Sequence, residues 1–69
     1  MTLADAILAA AAIPDSQPQR RASEVRAVVD FMRFRLHWNY EKRMKAVEKA
    51  GVERDRWEEL LREADDSHE

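Results

Sequence analysis

Between Arg20 and Ala50 the chain has neither glycine nor proline, so no residue in that span interrupts a helix through its backbone. At its middle, Phe31-Met32-Arg33-Phe34-Arg35-Leu36-His37-Trp38-Asn39-Tyr40 gathers both phenylalanines, the only tyrosine and one of the two tryptophans. At about 100° per residue, Val25, Val29, Met32, Leu36 and Tyr40 share one sector, which Val47 rejoins. Phe31, Phe34 and Trp38 occupy a second sector, about 140–180° away. Arg26, Asp30, Arg33, His37, Glu41 and Glu48 form the polar strip. A helix that is apolar on two faces calls for cover on both.

The expected fold is therefore all-α: a three-helix chain, short, long, short, over roughly residues 3–12, 18–50 and 54–65. The long two-faced central helix would be covered by the short helices on one side and by a symmetry mate on the other. The core would then be completed as a homodimeric helical bundle, with the choice of intersubunit layer left open. Sixty-nine residues make one small domain, and a chain this short seldom builds a sufficient core alone.

Thr2 is placed to cap the first helix, with Asp5 completing a capping box. Leu3, Ile7 and Leu8 then lie on one stripe. Pro14 ends the helix, and residues 13–18 read as a linker rich in turn formers. Pro18 suits the first position of the next helix, where Arg20 and Arg21 sit awkwardly near the positive end of its dipole. Asn39 is the one candidate break, since it could cap a new helix beginning at Tyr40. Gly51 reads as a left-handed helix terminus, with Val52 returning onto Val47. Asp55 is a candidate cap for the last helix, along which Trp57, Leu60 and Leu61 form an apolar stripe. Packing is thus assigned to Leu3, Ile7, Leu8, Val25, Val29, Val47, Trp57, Leu60 and Leu61. Residues 66–69 read as a frayed acidic tail, because acids oppose the dipole there.

The formal charge of −2 conceals an asymmetry. Residues 20–49 carry nine Lys and Arg against four acids, whereas residues 51–69 carry three Arg against eight acids. Opposed blocks attract, within a chain or toward partners. The absence of cysteine removes disulfides and thiol chemistry. The apolar run near the start is too short to span a bilayer and lacks a basic leader. A cytoplasmic location with no membrane contact is the expectation.

No catalytic, cofactor or metal site is expected. His37 and Glu41 are one helical turn apart, but they lie on the polar strip and not in a core where bundle metals are held. His68 belongs to the tail. One glycine in the whole chain leaves no phosphate-binding loop. Ser16, Ser23 and Thr2 have no local base.

Two functional classes remain. The first is a non-catalytic interaction or regulatory protein that dimerises and binds a protein partner through an aromatic-arginine surface. Phe31, Met32, Phe34, Arg35, Leu36, Trp38 and Tyr40 would form that surface, since Trp, Tyr and Arg dominate protein interfaces. The second is a small nucleic-acid-binding regulator. In that case Arg33, Arg35, Lys42, Arg43 and Lys45 would contact phosphates while neighbouring aromatics stack on bases. The last two helices resemble a helix-turn-helix only loosely, because acids crowd the final one.

Overall fold

The computed structural model describes residues 1–66. Four α-helices are present and no central rod: α1 Leu3–Ala12, α2 Pro18–Asp30, α3 Tyr40–Ala50 and α4 Arg54–Asp66. A π-helical turn, Phe31–Arg35, extends α2. The all-α class holds, but the three-helix chain with a long two-faced helix does not. A helix over residues 18–50 would be about 50 Å long at 1.5 Å per residue. The molecule measures 28 Å along its greatest extent.

The break is built from local parts. The Leu36 N–H donates to the Phe31 carbonyl at 3.2 Å and the Trp38 N–H to the Met32 carbonyl at 3.0 Å. His37 takes a left-handed conformation with φ 56°. The Asn39 side chain then accepts from the Lys42 N–H at 2.9 Å and caps α3. The cap at Asn39 is the device that the sequence offered as its alternative. Folding back here lets Met44 and Val47 of α3 close the core from within the chain. No second copy is needed to complete it. Ile7, Val25, Met32, Met44, Val47, Trp57 and Leu60 are all fully buried in one cluster.

The other boundaries follow local chemistry. Thr2 Oγ1 accepts from the Asp5 N–H while the Asp5 carboxylate accepts from the Thr2 N–H, so the capping box forms. Pro18 is at the first turn of α2. Helix α3 ends on Gly51, with the Val52 N–H bonded to the Val47 carbonyl at 3.2 Å and the Gly51 N–H to that of Glu48 at 3.0 Å. Helix α4 begins at Arg54, so Asp55 lies inside its first turn and does not cap it. Helix α4 runs to Asp66; the rest of the expected frayed tail, with His68, lies outside the described residues.

Two residues with positive φ test this account in opposite directions. Gly51 has φ 109°, and a Cβ there would meet only the Leu8 side chain at 3.8 Å. Gly51→Ala is therefore expected to cost about 1 kcal/mol or more through backbone strain and not through a clash. At His37 the strain is already present, since the left-handed region costs L-residues roughly 1–2 kcal/mol. His37→Gly is expected to raise the melting temperature slightly, by an effect of about 0.5 kcal/mol once the greater freedom of unfolded glycine is deducted. Thermal melts of the two variants should move apart; parallel shifts would contradict the assigned backbone.

Candidate functional site

The basic end of α2 is locked before the surface is reached. Arg21 is buried, at 4% exposure, turned inward from a helix start that disfavours its charge. Its Nε and Nη2 grip both oxygens of Glu63 on α4, at 2.8 and 2.7 Å. Its Nη1 donates to the Ile13 carbonyl at 3.2 Å and to the Asp15 carboxylate. Hydrogen bonds from Arg21 hold the carboxyls of Glu63 and Asp15 below the usual carboxylate range. Arg26 donates to the Ala64 carbonyl in the last turn of α4. These are the meeting points of the basic and acidic blocks. Arg54 runs the other way, from the acidic block onto Glu41 at 3.1 Å and Glu48 at 3.3 Å.

The π turn and the loop after it form an exposed corner. Phe34 is 61% exposed, Tyr40 44%, Phe31 43% and Leu36 36%. Arg35 is exposed beside them. Trp38 is half-buried and packs against the core. Met32, also assigned to the partner surface, is fully buried. It faces inward because it extends the Val25 and Val28 stripe of α2, so it belongs to packing.

Three of the five cations expected to meet phosphate lie over aromatic rings. The Arg33 guanidinium lies 5.0 Å from the Phe34 ring centre, the Lys42 ammonium 5.1 Å from that of Trp38 and the Arg43 guanidinium 5.7 Å from that of Tyr40. Arg43 is partly buried and donates to the Trp38 carbonyl at 2.9 Å. Burial, and then the positive charge of nearby Arg33, lower its pKa. Arg33, Arg35, Lys42 and Lys45 are exposed. The Tyr40 hydroxyl donates to Glu58 at 3.1 Å; burial, and then that bond, raise its pKa.

An apolar groove of about 400 Å³ between α1 and α2 ends at the same corner, with Phe31 in its wall beside Met1, Leu3, Ala6 and Val28. Among the described residues no group of three or more His, Asp or Glu is placed to hold a metal. No helix there is long and apolar enough to cross a membrane.

The packing assignments divide. Ile7, Val25, Val47, Trp57 and Leu60 are buried, whereas Leu3, Val29 and Leu61 are half-buried at the core's edge. Leu8 is exposed, because α1 turns Ile7 and Ala10 inward. Sequence reasoning missed Met44, which lies about 80° from Leu36 on a straight helix but at the centre of α3's own stripe. It also missed Val28 and the inward turn of Arg21. The separation of Met44 and Val47 by three residues, counted from a cap at Asn39, would have revealed the first.

The chain matches no known protein family, no characterised protein and no solved structure.

Proposed function

We propose that this chain is a non-catalytic interaction protein that binds a protein partner through the aromatic-arginine corner at the end of α2. The observation that carries the reading is the 61% exposure of Phe34 beside Phe31, Leu36 and Tyr40, in a chain small enough to need every apolar side chain in its core. Large apolar groups clustered on a monomer's surface mark interaction sites, and aromatic and Arg side chains supply most hot spots. The break in the helix supports the reading, since these side chains are all exposed along the π turn and the loop into α3.

A nucleic-acid role for Arg33, Arg35, Lys42, Arg43 and Lys45 is less well supported. Cations lie over the rings of Phe34, Trp38 and Tyr40, and Arg43 is engaged with a backbone carbonyl. As the second helix of a helix-turn-helix, α4 would bring Glu59 and Asp55 to the phosphates.

Phe34→Ala is expected to leave the melting temperature within a few degrees, because little of the side chain is buried. Partner binding should weaken by about tenfold or more, an ordinary loss for a hot-spot aromatic. Co-purification from the host, followed by titration of wild type and variant against the retained protein, checks this. Retention of the partner by Phe34→Ala would refute the site. Submicromolar binding to DNA or RNA that falls steeply with salt would replace the reading with the second one.

A further inference from the structure

The corner is rich in cations that are not held in ion pairs. Arg21, Arg54 and Arg56 each meet at least one carboxylate. By contrast, Arg33, Arg35, Lys42, Arg43 and Lys45 form no ion pair among the described residues. Of the neighbouring acids, Glu41 and Glu48 accept from Arg54 and Glu58 accepts from Tyr40, while Asp30 and Asp65 line a cleft with Arg33 without pairing to it. Burial, and then the positive charge of Arg33, lower the pKa of Arg43. Arg33 lies over Phe34 and Arg43 over Tyr40, with the α1–α2 groove opening beside Phe31.

We infer that the corner binds an acidic protein segment carrying an aromatic or long aliphatic anchor. This rests on the protein-binding reading above and adds the chemistry of the partner. The anchor packs on Phe31 and Phe34 or enters the groove, whose size is at the small end of ligand-sized pockets. Carboxylates beside it bond to Arg33 and Arg35, for which a planar guanidinium is well suited. A nucleic acid would supply charge and bases to stack on the aromatics, but nothing suited to the apolar groove beside Phe31.

The test is selection from a random peptide library displayed on phage, panned against the immobilised full chain at low salt. Enriched clones are expected to combine several Asp or Glu with Phe, Trp or Leu. They should bind about tenfold more weakly or worse to Phe34→Ala and to the double variant Arg33→Gln/Arg35→Gln, and more weakly in about 0.5 M salt. Thermal melts confirm that the variants fold, with Leu36→Ala as the alternative apolar variant. Neutral or basic clones that still depend on Phe34 would overturn the acidic assignment and leave the protein-binding reading standing. No enrichment, or clones indifferent to both Phe34→Ala and Leu36→Ala, would overturn both. Tighter binding of a random single-stranded oligonucleotide than of any enriched peptide would also overturn both.

Discussion

Trp57→Ala is expected to leave the chain largely unfolded at 25 °C. Trp57 is 1% exposed and is the largest of the fully buried side chains. It joins α4 to a cluster drawn from the three other helices. Truncating a buried tryptophan costs about 3–5 kcal/mol, partly as lost transfer energy and partly as the cavity left behind. A domain of this length has roughly 3–10 kcal/mol in total at the usual stability per residue. The variant should therefore lose most of its helical circular dichroism, and its urea transition should vanish or shift close to zero. Trp57→Phe should retain a cooperative transition at reduced stability. A Trp57→Ala variant melting within a few degrees of wild type would show that the core lies elsewhere.

The second large effect belongs to Arg21. Arg21→Met removes the clamp between the α1–α2 loop and α4, leaving Glu63 without its bidentate partner and the Ile13 carbonyl without a donor. Breaking a buried pair by removing one member costs about 3–5 kcal/mol. Glu63 remains partly exposed and Asp15 mostly so, so about 2–3 kcal/mol is expected here. In a domain this small that lowers the melting temperature by roughly 10–20 °C.

The same site predicts a pH dependence. Glu63 and Asp15 have carboxyls whose folded pKa is lowered by Arg21. The unfolded chain therefore binds protons first, and the stabilisation is complete above about pH 5. It is lost as pH falls through the usual carboxylate range and below it. Wild type should lose more stability between pH 6 and pH 3 than Arg21→Met does. Equal losses in the two proteins would mean that the clamp contributes nothing to acid sensitivity.

The proposed interaction corner lies where the fold gives up regularity. A π turn, a left-handed His37 and a capping Asn39 together bring Phe31, Phe34, Leu36 and Tyr40 to the surface. Each of these residues could be read as an interface residue from the sequence alone. Their common exposure could not, because on a straight helix Leu36 and Tyr40 would sit about 120–160° from Phe34.

What the sequence determined by itself is the set of features that close over a few residues. The Thr2–Asp5 capping box, the stop before Pro14, Pro18 in the first turn of α2 and the Gly51–Val52 ending all form as their residues suggest. Each involves backbone groups within about five positions, so nothing distant can redirect it. The path of the chain through residues 31–39 is different. Its apolar pattern fits a long two-faced helix needing a partner, and equally fits two helices out of phase that are each covered by α1 and α4. Local propensity does not separate these, since neither glycine nor proline marks the break. The tertiary structure decided it, because folding back buries Met32, Met44 and Val47 in one core without a second copy. Arg21 was settled the same way. Its carboxylate partner on α4 lies 42 residues along the chain, and no local rule turns a charged side chain inward before that partner is in place.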